Sequence, residues 1–558
     1  MKYILFSILT IFSVFSFGQQ APVFDWVRQI KGPLFENIED IALDDSGYVY
    51  TTGYFRGTAD FNPASTPAVY TPESIGTFIQ KTAPTGELVW VKVITGVSNT
   101  FAYAMDVNDQ GIVIVGRYSG TVDFDPGPSV VEHTGFQGFV LKLDLNGNFQ
   151  WVKTISLGSS SLSQVKLDGA GNIYYVGDFS GTPDFDPGAG VSNLSSVGNT
   201  SDIFFSKLTA NGDFVWAKSI AGFEVNQVSS MDVDGFGNIA VGGYFTGTVD
   251  FDPGVATNDL IAQGNPDGFL LQLNPDGNFQ WVRHLSGSGN ADVSAVTIDV
   301  NGNVDFAVNL DGNVTIPNGT GGAIPIMNNL SQEWGIIGQY NLSNGELIWL
   351  REMSGQGTIV SEEITSGDDG NVYLTGNLKG SISFAEGGIV NATISSDNDP
   401  ALYTMSLDSS GDFQWIQSVK SGADDQSRNI AIGNNNEVYT SGHFNDTLDF
   451  NPGTTGGSLY AYNQWYTDAF LMKLKDPTAS IITHEKKPFS IYPNPTSDLL
   501  FIDGLKTTEK LHVINSLGQT VITEKTNHSI DVSSLNTGVY FLKLFDGKQQ
   551  QVFRFVKK

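Results

Sequence analysis

Tryptophan recurs along the chain at a nearly constant interval, and this regularity constrains the fold more than any other feature. Seven of the nine Trp residues stand at positions 26, 90, 151, 216, 281, 349 and 415, at spacings of 61 to 68 residues. The surrounding sequence repeats too, from FDWVRQI and LVWVKVI to FQWIQSV. Most copies read as an alternating strand that follows a turn of the Asn-Gly or Asp-Gly kind. A repeat of this period is the unit from which the fold must be built.

Each repeat contains about four short strands. A partner strand such as GFVLKL (138 to 143) precedes the turn, and an apolar strand, a second turn and a strand like GNIYYVGDFSG (171 to 181) follow the Trp strand. Glycine at one fixed place in this last strand predicts a bend or a close approach of neighbouring backbones. The glycines are Gly53, Gly116, Gly177, Gly243, Gly376 and Gly442, and Val308 replaces Gly in the remaining repeat.

Four-stranded units repeated seven times predict an all-β fold. We expect a seven-bladed β-propeller over residues 22–475, because a closed ring buries both faces of every sheet. The chain starts on the Trp strand Phe24 to Ile30 and the last repeat ends on Ala469 to Leu474, which elsewhere pairs with a Trp strand. These two strands should therefore pair and close the ring. The repeats resemble the SBBP family of β-propeller repeats, which implies no single activity.

The first 18 residues have the features of a secretory signal peptide. Lys2 precedes an apolar run that ends at the small residue Gly18. No later segment has the length of a membrane-spanning helix, so none is expected in the mature chain. The absence of Cys excludes a thiol enzyme or a Cys-ligated metal site, and the net charge of −30 argues against nucleic acid as a partner.

Residues 476–488 read as a linker, and residues 489–558 as a small antiparallel, Ig-like β-sandwich. Its motifs contain Tyr492, Pro493, Asn494, Pro495, Gly518, Gln519, Gly538, Tyr540 and Lys543. With these residues the module resembles the type A C-terminal sorting domain of the Bacteroidota type IX secretion system. The resemblance implies export by that machinery, with the mature protein released or attached to the outer cell surface.

The most repeated polar motif is GT-x-DF-[DN]-P, as in GTVDFDP (120 to 126). Two carboxylates at i and i+2 beside a turn could hold calcium, which prefers oxygen ligands. An Asx-type turn with Pro stiffening the loop explains the motif equally well. The calcium candidates are Asp123, Asp125, Asp184, Asp186, Asp250 and Asp252, and no other cofactor is expected.

Two Trp residues, Trp334 and Trp465, depart from the regular interval. Both precede a strand of the AFLMKL type, and Trp465 stands close to three tyrosines, Tyr460, Tyr462 and Tyr466. Such aromatic side chains could stack on sugar rings, or they could cap an edge of the propeller. We treat this group of five residues as the candidate ligand-binding site.

The sequence favours a binding or scaffold protein, adhesin-like and monomeric, at the cell surface or in the medium. It contains no HExxH, Walker or Gly-x-Ser-x-Gly motif, and no catalytic residue is assigned. The alternative is a polysaccharide-acting enzyme, either a glycoside hydrolase or a lyase, because 51 acidic residues of the propeller leave many possible carboxylate pairs. A convergent His, Tyr or carboxylate cluster in the central pocket would favour the enzyme.

Overall fold

The computed structural model divides the chain into two compact units, Met1–Ala479 and Ser480–Lys558. The predicted signal peptide and linker lie outside the described residues, as do Pro493, Asn494, Pro495, Gly518 and Gln519. The described residues are 21–156, 161–198, 201–264, 266–327, 333–386, 389–422, 425–452, 457–463, 465–475, 490–492, 496–503, 509–515, 520–526, 529–545 and 550–558.

The first unit consists of seven four-stranded antiparallel blades, which we number in chain order. The strands of each blade are given from the innermost to the outermost. Blade 1 consists of Glu36–Leu43, Val49–Arg56, Ile75–Thr82 and Leu88–Gly96, and blade 2 of Thr100–Asn108, Gly111–Asp123, Glu132–Leu143 and Phe149–Ile155. Blade 3 consists of Leu162–Leu167, Ile173–Phe179, Asp202–Leu208 and Phe214–Gly222. Blade 4 consists of Asn226–Val233, Ile239–Phe245, Asp267–Leu273 and Phe279–Gly287. Blade 5 consists of Asn290–Ile298, Asn303–Asp311, Trp334–Asn341 and the start of the long strand Leu347–Ser366. Blade 6 consists of the end of that long strand, Val372–Glu386, Ile389–Leu407 and Phe413–Lys420. Blade 7 consists of Gln426–Ile432, Val438–Phe444, Asp468–Lys475 and Val23–Ile30.

Short two-stranded ribbons extend between the second and third strands of several blades. They are Ala59–Asp60 with Val69–Tyr70, Thr248–Asp250 with Asp259–Ile261, Val314–Pro317 with Ala323–Ile326, and Thr447–Asp449 with Ser458–Tyr460. The described residues of this unit also form a short 3-10 helix, Asn434–Asn436.

Blade 7 closes the ring with strands from both ends of the unit. Val23–Ile30 pairs antiparallel with Asp468–Lys475, so that Phe24 faces Leu474 and Ile30 faces Ala469. An ion pair of 2.6 Å between Lys475 Nζ and Asp25 Oδ1 adds to this pairing. The innermost strand of each blade contacts the innermost strand of the next blade around the axis, and the innermost strand of blade 7 contacts that of blade 1. The β-propeller and its predicted closure are therefore both present.

The repeated glycines of the second strands allow a close backbone approach, as predicted. A Cβ atom at Gly116 would lie 1.9 Å from the Phe101 carbonyl oxygen of the innermost strand, and one at Gly243 would lie 2.1 Å from that of Gln227. The innermost strand bulges at this level in every blade, because its register shifts there. In blade 5, where Val308 replaces Gly, the shift skips two residues instead of one and so makes room for the side chain.

The regularly spaced Trp side chains join neighbouring blades. Trp281 donates its indole N–H to the Leu342 carbonyl oxygen of the next blade at 2.8 Å. Arg283 covers the same indole, with its guanidinium carbon 4.9 Å from the ring centroid. The turn of the next blade packs so closely on the ring that Gly345, at φ +65°, leaves no room for a side chain. The spacing of Trp in the sequence therefore reports the joints between blades.

The second unit is a small β-sandwich. One sheet consists of Ser490–Tyr492, Leu499–Asp503 and Ser529–Asp531, and the other of Glu509–Asn515, Thr520–Thr526, Gly538–Phe545 and Gln550–Lys557. Buried side chains from both sheets form one core, in which Leu500 and Ile530 meet Val513, Leu542 and Phe555. The predicted sandwich is confirmed.

Candidate functional site

The predicted aromatic residues of the last repeat lie together on one loop of blade 7, between its second and third strands. Their side chains are strongly exposed: 61% for Tyr460, 59% for Tyr462, 79% for Trp465 and 44% for Tyr466. Several exposed aromatic side chains on one loop are typical of a binding surface, whereas a single exposed one is common. We call these four residues the aromatic loop.

Polar contacts fix the backbone of the aromatic loop. The Asn463 side chain accepts the backbone N–H of Trp465 at 2.8 Å and donates to the Pro33 carbonyl oxygen at 3.0 Å. Asp468 accepts the N–H of Tyr462 at 3.0 Å. Hydrogen bonds therefore hold the described residues of the aromatic loop, which lowers the entropy lost when a ligand binds.

Trp334 does not join the aromatic loop. It begins the third strand of blade 5, is only partly exposed and packs against a hydrophobic cluster that includes Leu310 and Ile336. The five predicted ligand-binding residues are therefore divided between an exposed group of four and one residue with a packing role.

The acidic residues of the repeated GT-x-DF-[DN]-P motif make turns. Asp123 Oδ1 accepts the backbone N–H of Asp125 at 3.1 Å and of Val131 at 2.8 Å. Asp184 likewise accepts the backbone N–H groups of Asp186 and Ser192. Asp250 accepts those of Asp252 and Asn258. Among the described residues, no group of three or more His, Asp or Glu side chains is arranged to hold a metal ion. A calcium role stays an untested prediction.

A cavity of about 340 Å³ lies on the propeller axis, where the innermost strands meet. Its walls include the bulge residues of several innermost strands. A bulge redirects a side chain out of the regular alternation, and here it turns the side chain toward the cavity. The bulge residues that line the cavity are Glu39, Tyr103, Ser229, Ser294, Glu362 and Arg428.

One side of the cavity is acidic and centred on blade 7. Glu362 and Glu363 of blade 6, and Glu39 and Asp40 of blade 1, flank Arg428. Arg428 Nη1 and Glu39 Oε2 form an ion pair of 2.9 Å. Glu362 Oε1 accepts a hydrogen bond of 3.2 Å from Asn377. We call the four carboxylates and Arg428 the acidic wall.

Several carboxylates of the cavity also join neighbouring blades. Asp40 accepts the N–H of Met105 at 2.7 Å, and Glu363 accepts that of Ile430 at 2.6 Å. Burial raises the pKa of Asp40 to about 6. Burial, together with the negative charge of Asp40, raises the pKa of Glu363 to about 8. These groups therefore titrate close to neutral pH.

Lys166 supplies a second cation to the lining of the cavity. Burial alone would lower its pKa, but the surrounding carboxylates outweigh burial and raise it. They are Asp232, Asp106, Asp40 and Glu363. The Lys166 ammonium is therefore held in its charged form.

A buried pair of carboxyl groups lies beneath the aromatic loop, where blade 7 meets blade 1. Glu36 is 0% exposed, and its carboxyl group lies within hydrogen-bonding reach of Asp468. Burial, and then the neighbouring Asp468, raise the pKa of Glu36 to about 9. Burial raises the pKa of Asp468 to about 6. At the corresponding joint between blades 3 and 4, Asn226 instead donates its amide N–H to Asp202 at 3.3 Å.

The sorting-module residues that the structure describes take part in the sandwich. Tyr540 is buried, and its hydroxyl donates to the Asn536 carbonyl oxygen at 3.0 Å. Gly538 and Lys543 lie on the same strand, and Tyr492 on a strand of the other sheet. Among the residues described, no helix is long and apolar enough to cross a membrane.

Residues 490–558 match the family model described as a secretion system C-terminal sorting domain. The match indicates export through the type IX secretion system to the cell surface or beyond it. An uncharacterized WD repeat-containing protein of Acanthamoeba polyphaga mimivirus is 21% identical in an alignment that covers 82% of this chain. The alignment spans only 39% of that relative's length.

Solved structures with low sequence identity also align with the chain. A peptide-bound YCF48 is 10% identical, with a TM-score of 0.34, and 83% of this chain and 99% of that chain are covered. PorZ of Porphyromonas gingivalis, a surface component of the type IX secretion system, is 10% identical, with a TM-score of 0.18 and coverage of 95% and 100%. A europium-containing methanol dehydrogenase is 11% identical, with a TM-score of 0.35 and coverage of 82% and 92%. TM-scores this low carry no argument about function.

Proposed function

We propose that the exported protein is a binding and scaffold protein, adhesin-like, that contacts glycans through the aromatic loop of blade 7. One observation carries the proposal: four aromatic side chains on one fixed loop are 44% to 79% exposed. Aromatic faces suit the apolar faces of sugar rings, and an ordered loop lowers the entropic cost of binding. The propeller repeats are assigned to the SBBP type on the repeated sequences quoted above.

A glycan array of the full chain tests this proposal, with Trp465→Ala as the variant. Phe223→Ala is the matched control, because Phe223 is 74% exposed and lies outside the aromatic loop. We expect Trp465→Ala to abolish glycan binding and Phe223→Ala to leave it unchanged. Equal binding by wild type and Trp465→Ala would refute the assignment.

A polysaccharide-acting enzyme is the second candidate, because the acidic wall brings four carboxylates to one cavity. Carboxyl groups with raised pKa values serve as general acids in glycoside hydrolysis. Incubation of wild type and Glu362→Gln with the glycans that score on the array tests this candidate. New reducing ends or unsaturated products, formed by wild type and not by the variant, would support the enzyme, whereas binding without turnover would exclude it for those glycans.

A further inference from the structure

Carboxyl groups outnumber cationic side chains in the lining of the axial cavity. Two cationic side chains, Arg428 and Lys166, line it. The six carboxylates of its lining are Glu39, Asp40, Asp106, Asp232, Glu362 and Glu363. A cavity bordered by protein concentrates the field of such an excess, and a cationic ligand relieves it.

One polar atom of the cavity walls has no partner in the protein. Ser294 Oγ is buried and forms no hydrogen bond. Ser294 lies on the innermost strand of blade 5 and lines the cavity. Buried polar atoms in folded proteins are nearly always paired, so an unpaired hydroxyl in a residue of the cavity wall calls for a partner.

The cavity is also asymmetric, and this gives a ligand room. Glu39, Glu362 and Arg428 crowd the side centred on blade 7, whereas Ser229 and Ser294 occupy the bulges of blades 4 and 5. Small hydroxyl side chains therefore face the acidic wall across a space of about 340 Å³. This volume is within the range of small-molecule sites.

We propose that the axial cavity is a second ligand site, which binds a primary ammonium group between the acidic wall and the serine side. An ammonium has three donors and no acceptor, so it matches a lining rich in carboxylate and hydroxyl oxygens. Tyr103 also lines the cavity, and its ring lies parallel to that of Phe101, with ring centroids 6.1 Å apart. Arg117 lies over the same two rings, with its guanidinium carbon 5.9 Å from the Tyr103 centroid. The organic part of an amine can contact the Tyr103 side chain.

An amine of this kind could be an amino sugar or a lysine side chain. Isothermal titration of the full chain distinguishes them with three probes: glucosamine, N-acetylglucosamine and Nα-acetyl-lysine methylamide. We expect binding of one or both amines and none of the N-acetylated sugar. The amine that binds more tightly identifies the source.

Glu362→Gln is the main variant, because its remaining carbonyl oxygen can still accept the hydrogen bond from Asn377. Loss of one charged hydrogen-bond partner should weaken amine binding roughly tenfold or more. Asp213→Asn removes the same charge from an exposed turn and should change nothing. Ser294→Gln fills the serine side and should weaken binding without a change of charge.

The proposal is overturned if N-acetylglucosamine binds as tightly as glucosamine, if neither amine binds, or if Glu362→Gln behaves like Asp213→Asn. Trp465→Ala keeps this test independent of the aromatic loop. It should lose glycan binding on the array and retain amine binding in the cavity. Loss of both activities in Trp465→Ala would place the amine at the aromatic loop and reject the cavity.

Discussion

Replacing Glu36 by glutamine should stabilise the propeller at neutral pH. Glu36 and Asp468 are both buried where blade 7 meets blade 1, and their carboxyl groups lie within hydrogen-bonding reach of each other. The joint between blades 3 and 4 places the amide of Asn226 against Asp202 in the same position. The substituted glutamine would likewise supply an amide N–H to Asp468 and would carry no charge.

The size of the effect follows from the pKa of Glu36, which is about 9 in the folded protein against an ordinary value of 4.5. The folded state binds this proton more tightly than the unfolded state. The cost of Glu36 to the free energy of unfolding is therefore absent below the unfolded pKa. It grows as the pH rises from 4.5 and is complete above 9. At pH 7.5, about three pH units above the unfolded pKa, this cost is roughly 4 kcal/mol at about 1.36 kcal/mol per unit. At about 2.1 cal/mol/K per residue, a propeller of about 450 residues gains roughly 4 °C in melting temperature.

Thermal unfolding of wild type and Glu36→Gln between pH 4.5 and 9 measures this effect. The gain should approach zero at the acid end and increase steadily with pH. Asn226→Asp is the reciprocal control: it creates the same carboxyl pair beside Asp202 and should destabilise the protein increasingly above pH 5. A melting temperature of Glu36→Gln equal to or below that of wild type at pH 7.5 would refute the reasoning, as would a gain that does not vary with pH.

Three further substitutions test the packing. Gly243→Ala should destabilise by about 1–3 kcal/mol, because its Cβ would lie 2.1 Å from the Gln227 carbonyl oxygen, whereas Gly235→Ala, in open space, should change unfolding by less than about 0.5 kcal/mol in denaturant titrations. Asp250→Ala leaves two N–H groups unpaired and should lower the free energy of unfolding by about 1–3 kcal/mol, while Asp250→Asn should lower it much less. A chelator should leave the melting temperature of the wild type unchanged. A fall in melting temperature with chelator would instead favour calcium. Trp26→Ala should cost about 3–5 kcal/mol in the same titrations, because Trp26 is 7% exposed at the closing blade.

The propeller could be predicted from the sequence because its determinants are local and repeated. From Trp90 onward, each regularly spaced Trp lies on a strand that follows its own turn, and the regularly spaced Trp residues are 61 to 68 residues apart. Even the departure at Val308 follows a local rule, since an extra bulge residue in blade 5 provides the space that Gly provides elsewhere. Closure followed from counting strands, because the last repeat lacked a partner that the first strand could supply.

The axial cavity could not be predicted, because its residues come together only when the ring is closed. Glu362 and Glu39 are more than 300 residues apart in the sequence and lie in innermost strands without any shared motif. Which residue enters the bulge decides which side chain enters the cavity, and strand alternation alone does not give that position. The pairs Glu362-Glu363, Arg428-Asn429 and Glu39-Asp40 occupy the same place in consecutive blades, and this was the available signal. The aromatic loop was predictable because its four residues are close in sequence, whereas Trp334 required knowledge of its packing.

Both candidate sites depend on blade 7, which exists only when the two ends of the propeller chain are paired. Arg428 of the acidic wall lies on its innermost strand, and the aromatic loop precedes its third strand. The outermost strand, Val23–Ile30, contributes nothing to the lining of the axial cavity but holds the blade together. A ligand that binds only the closed ring must therefore stabilise this strand by mass action. Hydrogen exchange should show slower exchange of Val23–Ile30 amides when glucosamine occupies the axial cavity of wild type, and no such slowing in Glu362→Gln. Unchanged exchange of this strand in saturated wild type would mean that the cavity forms without closure of blade 7.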